Sequence, residues 1–287
     1  LSREMAPGSL PDVPKTCGTE DAMRTEEVDV AVIGGGPSGM AAAVAAQKAG
    51  AERVVLIERG EQLGGILNQC IHDGFGTKIF EQALTGPEYA QIYIDRLHET
   101  GVSYYLDTMV LNLTPERELT VCSTEGVRKI LAKTVILCMG CRERTRGAIG
   151  IPGHRPAGVF TAGVVQYYMN LRNLAVGRRV VVLGSGDVGL IMARRLTLEG
   201  AQVPCVAEIL PYPRGLARKV VQCLEDFGIP LYLSTTVIDI HGRDRITGVT
   251  LAKIGPRGGI VPGSQRLVEC DTLMLSVGLI PENELSK

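Results

Sequence analysis

The chain is 287 residues long, room for two domains of ordinary size. Its 30 basic and 31 acidic side chains leave a net charge of -1 with the signs interspersed. That gives no basic footprint for nucleic acid, and with 4% aromatic residues and no Trp there is no base-stacking platform either.

Residues 1–22 show no periodicity and lack the apolar core of a signal peptide. They are expected to form a disordered leader, with Met23-Arg-Thr-Glu-Glu as the true start. The uncharged stretch Val30 to Gln47 is as long as a membrane span, but four glycines and a proline at its turn make it a buried strand plus helix. No membrane span is expected. Eight scattered cysteines with no secretory segment ahead of them suit reduced thiols, and the protein is expected to be cytoplasmic.

Val28-Asp-Val-Ala-Val-Ile-Gly-Gly-Gly-Pro-Ser-Gly39 reads as strand, tight turn and helix start. Gly34, Gly36 and Gly39 fit G-x-G-x-x-G. The first lets the chain turn, the second lets backbone approach a pyrophosphate, and the third lets helix pack on strand. A second strand, Arg53 to Glu58, ends in a carboxylate where a ribose hydroxyl pair needs an acceptor. Arg59-Gly-Glu-Gln-Leu-Gly-Gly65 is a polar turn suited to close passage of a cofactor. The loop Ile66 to Gly76 then gathers Asn68, Gln69, Cys70, His72 and Asp73. It reads either as a satisfied surface loop or as a loop over a reactive cofactor ring, with His72 as proton carrier.

Pro87 to Thr100 has helical apolar spacing and ends at Gly101. Val102–Leu106, Met109–Leu113, Leu119–Cys122 and Val127–Leu131 read as a strand returning to the sheet plus a small antiparallel meander, and Thr134 to Met139 as another buried strand. Cys138 and Cys141 have the C-x-x-C spacing of a redox or metal site. Cys138 closes an apolar strand, however, and no second such pair for zinc is present, so no metal site is expected. Arg142-Glu-Arg-Thr-Arg-Gly147 and Ile151 to Gly158 mark a crossing between domains, where the arginines either embrace phosphates or line a solvated hinge. Thr161 to Leu174 reads as a helix.

Arg179-Val-Val-Val-Leu-Gly-Ser-Gly-Asp-Val-Gly189 repeats strand, turn and helix, with Gly184, Gly186 and Gly189 in the same register. The next strand, Gln202 to Glu208, again ends in Glu. In both copies the acid lies 24 residues beyond the first glycine, 34 to 58 and 184 to 208. Gly215 to Phe227 follows as an amphipathic helix, Ile229 to Leu233 as the third parallel strand, and Val237 to Ile254 as a second meander. Thr134-Val-Ile-Leu-Cys-Met-Gly140 and Thr272-Leu-Met-Leu-Ser-Val-Gly278 repeat a third landmark. An internal repeat of this kind is architectural. The fold class is α/β, with two Rossmann-like dinucleotide-binding domains, each carrying a small meander.

Two such units resemble the FAD-dependent pyridine nucleotide-disulfide oxidoreductase superfamily, over Glu27 to Leu285. The resemblance implies an FAD-binding domain at 23–150, an NAD(P)-binding domain at 151–278 and a return to the FAD domain at 279–287. It implies that Gly34, Gly36, Pro37, Ser38, Gly39, Glu58, Arg59, Gly65 and Gly140 match FAD-binding positions. Gly184, Gly186, Asp187, Val188, Gly189 and Glu208 match nicotinamide-cofactor positions. Glu208 should repel a 2′-phosphate and so prefer NAD, although Arg214 and Arg218 are close enough in sequence to reverse this.

The redox cysteine pairs of the family's disulfide reductases are absent from their usual places, which leaves His72 and Cys70 as candidate catalytic residues without a redox-active disulfide. The run from Gly140 to Gln166 is similar to a narrower branch. That branch holds the larger subunits of heteromeric sarcosine and opine oxidases, the flavin subunit of hydrogen cyanide synthase, and relatives associated with anaerobic glycerol-3-phosphate dehydrogenase. It implies electron transfer between NAD(P)H, FAD and an acceptor or a partner, either a second dehydrogenase or oxidase subunit or an iron-sulfur protein. Two alternatives stay open: a flavin subunit of a heteromeric amine or amino-acid dehydrogenase, and a non-catalytic dinucleotide-binding subunit. Family members continue further past the second Thr…Gly strand, so the FAD domain is expected to be truncated in its C-terminal part and to bind FAD weakly.

Overall fold

The computed structural model describes residues 25–287; the leader expected over 1–22 lies outside them. β1 (Thr25–Ile33), α1 (Pro37–Lys48) and β2 (Val54–Ile57) open the chain. Pro37 stands at the first helical position, where its missing N–H is no loss and its fixed φ suits the helix. Beyond β2 come a 3-10 turn (Gly65–Gln69) and a small hairpin of β3 (Asp73–Phe75) and β4 (Leu84–Thr85). α2 (Gly86–Thr100) begins at a capping box, Thr85 with Glu88, and ends at Gly101 in the left-handed conformation that glycine adopts freely.

β5 (Ser103–Tyr105), β6 (Met109–Leu113), β7 (Glu118–Ser123) and β8 (Gly126–Leu137) complete a six-stranded sheet of order β5-β2-β1-β8-β7-β6. The first four strands are parallel, and β7 and β6 are added antiparallel. The strands expected at Val127–Leu131 and Thr134–Met139 are therefore one strand, β8. Nothing between them interrupts the ladder, and β1 pairs with β8 from Lys129 to Leu137.

β9 (Cys141–Glu143) and the short helix α3 (Arg146–Ile149) cross to the second unit. There β10 (Val159–Thr161), α4 (Ala162–Arg172), β11 (Val180–Leu183), α5 (Asp187–Leu198), β12 (Val206–Ala207), α6 (Ala217–Cys223) and β13 (Leu231–Tyr232) follow. A separate antiparallel sheet holds β14 (Thr235–His241), β15 (Gly248–Lys253) and β16 (Arg266–Glu269). β17 (Thr272–Leu275) returns to a parallel sheet of order β10-β17-β11-β12-β13, and β18 (Leu279–Pro281) pairs antiparallel with β9.

The second unit differs from the sequence reading at four points. β12 is short because Pro204, inside the expected strand, has no N–H to give a ladder. α6 starts late because the N–H groups of Gly215 and Leu216 are taken by Ser185 O and Asp187 Oδ1, both at 2.8 Å. Its tail tightens into a 3-10 turn, Glu225–Phe227. In the second meander an unanticipated third strand, β16, stays separate from β17, because Asp271 between them turns to accept the N–H groups of Arg178 and Arg179.

The central parallel strands are buried on both faces: every residue of β2 and of β11 is buried. Helices cover one face of each sheet, around Met40, Leu56 and Leu97 in the first unit and Leu190, Met192 and Leu196 in the second. The meanders cover the other, around Leu119 and Ile130, and around Ile240 and Val249. Among the described residues no helix is long and apolar enough to cross a membrane.

The three glycines of the first turn differ in what they leave room for. Gly34 has φ +108°, and a Cβ on Gly39 would strike the Gly34 carbonyl oxygen. Gly36 is extended, with nothing within 4 Å of an added Cβ. Gly36→Ala should therefore cost about 1 kcal/mol or less, the difference between glycine and alanine as an N-cap. Gly39→Ala should cost about 2 kcal/mol or more, outweighing the roughly 1 kcal/mol that alanine gains in a helix. Urea unfolding of the two variants reads the split, and equal losses would contradict the packing described.

Candidate functional site

Both units build the same turn. Gly34 N–H donates to Ile57 O (2.8 Å) and Gly184 N–H to Ala207 O (2.7 Å). Below the turns, Cys138 N–H donates to Ile33 O (2.8 Å) and Ser276 N–H to Leu183 O (2.7 Å). A Cβ on Gly34 would strike the Cys138 carbonyl, and one on Gly184 that of Ser276. A Cβ on Gly39 would lie 3.4 Å from Cys138 Cβ, and one on Gly189 2.8 Å from Ser276 Cβ. The small residue of each Thr…Gly strand is thus the floor of the turn. Cys138 serves there, its thiol pushed up by burial, while Cys141 is exposed on β9 opposite Pro281.

Intrahelical bonding starts at Met40, donating to Gly36 O, and at Leu190, donating to Gly186 O, both at 3.0 Å. Neither N-cap glycine supplies a side-chain cap. The N–H groups of Ser38 and Gly39, and of Asp187, Val188 and Gly189, lie ahead of these bonds with the positive end of the helix dipole. Ser38 is exposed and Val188 is 40% exposed. The open space beside Gly36 and the uncapped N–H groups make a cradle that fits a diphosphate in shape and charge.

A carboxylate ends the second strand of each unit. Glu58 accepts from Gly35 N–H at Oε2 (2.6 Å) and from Gly60 N–H at Oε1 (2.7 Å). Glu208 accepts from Ser185 N–H at Oε2 (2.9 Å) and from Leu210 N–H at Oε1 (3.0 Å). The backbones agree further on. Glu58 N–H donates to Tyr105 O (2.8 Å) and Thr108 N–H to Glu58 O (3.0 Å), while Glu208 N–H donates to Tyr232 O (2.9 Å) and Thr235 N–H to Glu208 O (2.8 Å).

This exposes a fourth repeat, Tyr105-Leu-Asp-Thr108 and Tyr232-Leu-Ser-Thr235, which the sequence reading missed although Tyr-Leu-x-Thr stands in both copies. Each Thr hydroxyl donates back to the Leu carbonyl, and each Tyr ring carries a guanidinium from the meander, Arg128 at 3.9 Å and Arg266 at 4.3 Å.

Around the first turn, Gly65 packs on Gly36, with φ +55°. Arg59 is exposed one residue past Glu58. Gly140, at φ +73°, accepts from Glu282 N–H (3.0 Å). The crossing arginines divide by role. Arg142 pairs with Glu282 (2.6 Å) and Glu284 (2.9 Å), and Arg146 donates to the carbonyls of Ile151, Gly153 and His154.

The loop of candidate catalytic residues is a seam between the units rather than a surface loop. Gln69 Nε2 donates to Gly163 O (2.9 Å) and Gln166 Oε1 (3.1 Å) on α4, and Asn170 Nδ2 donates to Gln69 O (2.9 Å). Cys70 Sγ lies 3.2 Å from Ile66 O and 3.8 Å from Gln166 Oε1. Burial pushes the Cys70 thiol up, the Gln166 contact only partly offsetting this, so it stays protonated. His72 opens on a cleft of about 650 Å³ shared with Arg194, Lys219, Asp226 and Phe227 of the second unit. Burial and the Lys219 charge lower its pKa against the pull of Asp73 and Asp187, which leaves the ring neutral at neutral pH.

A family model described as pyridine nucleotide-disulphide oxidoreductase matches residues 28–287. Hydrogen cyanide synthase subunit HcnB of Pseudomonas protegens is 26% identical over 281 residues, which cover 89% of this chain and 57% of that protein. Sarcosine oxidase subunit alpha of Rhizobium meliloti is 26% identical over 246 residues, 82% of this chain and 24% of that one. The chain thus spans about half the length of the first relative and a quarter of the second. The crystal structure of T. acidophilum thioredoxin reductase shares the fold, with a TM-score of 0.68 at 22% identity over 91% of this chain and 80% of that one. The chain belongs to the pyridine nucleotide-disulphide oxidoreductase family, FAD-dependent oxidoreductases whose cofactors are FAD and NAD(P)H.

Proposed function

We propose that the first unit, 25–150 with 279–287 returning to it, holds FAD, and that the second, 151–278, holds NAD(P)H. In this reading the chain passes hydride and electrons between the two and on to an acceptor or partner subunit. The observation that carries it is the doubled cradle: two uncapped helix N-termini, each beside a carboxylate that ends the neighbouring strand.

Bound FAD and NAD(P)H supply the redox chemistry, and the chain's residues bind and orient them. Gly34, Gly36, Pro37, Ser38 and Gly39 take the first diphosphate, Glu58 its ribose, and Arg59, Gly65 and Gly140 the flanks. Gly184, Gly186, Asp187, Val188 and Gly189 take the second diphosphate. Glu208 takes the second ribose and favours NAD, because its carboxylate repels a 2′-phosphate. Neutral His72 can take up a proton at a ring nitrogen.

The protonated Cys70 is a poor nucleophile, which supports electron transfer without a redox disulfide. The names of the relatives, each a subunit, support a partner chain. The sarcosine oxidase likeness favours a second reading, the flavin subunit of a heteromeric amine dehydrogenase or oxidase.

Two variants test the assignment. Gly36→Val puts a branched side chain where the diphosphate would lie, so the purified protein should be folded and lack flavin. A folded variant that binds added FAD as tightly as the parent does would overturn the FAD assignment. Cys70→Ser should be reduced by NADH at the parent's rate. A block in flavin reduction specific to that variant would restore a thiol to the mechanism.

A further inference from the structure

We infer that Ser185 is a positioning residue for the adenosine end of the nicotinamide dinucleotide, holding Glu208 so that one carboxylate oxygen, Oε1, keeps a place for a ribose hydroxyl. This rests on the reading that the second unit binds NAD(P)H.

The two turns share their three spaced glycines and differ between them, and the difference that touches the glutamate is Gly35 against Ser185. Gly35 offers Glu58 only its N–H, whereas Ser185 offers Glu208 both its N–H (2.9 Å) and its hydroxyl (2.6 Å), converging on Oε2. The direction of the hydroxyl proton is settled by its other partner. Arg214 N–H donates to Ser185 Oγ (2.9 Å), so the single hydroxyl proton goes to Glu208.

A carboxylate offers about four lone-pair sites. On Glu208 two are filled at Oε2 and one at Oε1, by Leu210 N–H, so the remaining place is on Oε1. Glu58, with one bond on each oxygen, keeps a place on both.

Burial makes the fixing strict. Glu208 is 2% exposed and Ser185 0%, and a buried carboxylate keeps whatever hydrogen bonds it has. The loop over it is tied to the same turn: Gly215 N–H donates to the Ser185 backbone O (2.8 Å), and Leu216 N–H to Asp187 Oδ1 (2.8 Å). A carboxylate held this way cannot swing aside for a 2′-phosphate. Without the hydroxyl it keeps two of its three bonds, so it is held less firmly against both a ribose hydroxyl and a 2′-phosphate.

The test is anaerobic calorimetric titration of the FAD-loaded full chain, its flavin reduced beforehand, with NADH, NADPH and reduced nicotinamide mononucleotide, which lacks the adenosine half. Parent, Ser185→Ala and Glu208→Ala are compared. Ser185→Ala should lower the NADH to NADPH affinity ratio about tenfold, the loss of one charge-assisted hydrogen bond, and leave mononucleotide binding unchanged. If Glu208→Ala lowers the ratio and Ser185→Ala does not, the role given to Ser185 is wrong while the ribose reading stands. If neither changes it, both fail. A parallel loss of mononucleotide binding in Ser185→Ala would also overturn the inference, since the hydroxyl would then be shaping the whole turn.

Discussion

One hydrogen bond organises each half of this protein: the N–H of the residue after the first turn glycine, Gly35 or Ser185, donated to the glutamate that ends the next strand. It joins the end of one strand to the end of its neighbour at the point where the chain must reverse. The loop beyond the glutamate then folds back on the turn, with Gly64 N–H donating to Gly35 O (2.9 Å) and Gly215 N–H to Ser185 O (2.8 Å). The third strand comes in through the glutamate's own backbone. A hydrogen bond to a carboxylate is stronger than one between neutral groups. The helix N-terminus opens beside it, so the carboxylate and the uncapped N–H groups are set by the same few atoms.

The halves meet through polar chemistry. The amide groups of Gln69, Gln166 and Asn170 and the Glu143 carboxylate, which accepts from Gly163 N–H (2.7 Å), line the contact with α4. Covalently the chain passes between units only through the β9–β18 ribbon among the described residues, braced by Arg142 on Glu282 and Glu284. Interfaces between domains are commonly of this polar type, and relative motion across them is the default expectation.

Much of this architecture is legible in the residues. The glycine spacing, the glutamate 24 residues on and the Thr…Gly strand each announce a unit, and their repetition announces two. The spacing also shows why Cys138 is small rather than reactive, since Ser276 fills the same slot. Other features depend on partners remote in sequence. The fourth repeat, Tyr-Leu-x-Thr, is short and lies at different distances from its glutamate in the two copies. The late start of α6 is decided by Ser185 and Asp187, far upstream. The loop with Cys70 and His72 reads as polar and exposed because its cover, α4 to α6, belongs to the other unit. Nothing local in Gln69 signals that its amide is buried against Gln166.

The central claim is that two cradles on one chain bring a nicotinamide and a flavin into the same reaction. Its most direct test is anaerobic mixing of the FAD-loaded protein with NADH while the visible absorption of the flavin is followed. The account predicts bleaching, mole for mole with the NADH added. Undiminished absorption with both dinucleotides bound would contradict it and leave a subunit that holds dinucleotides without passing electrons between them.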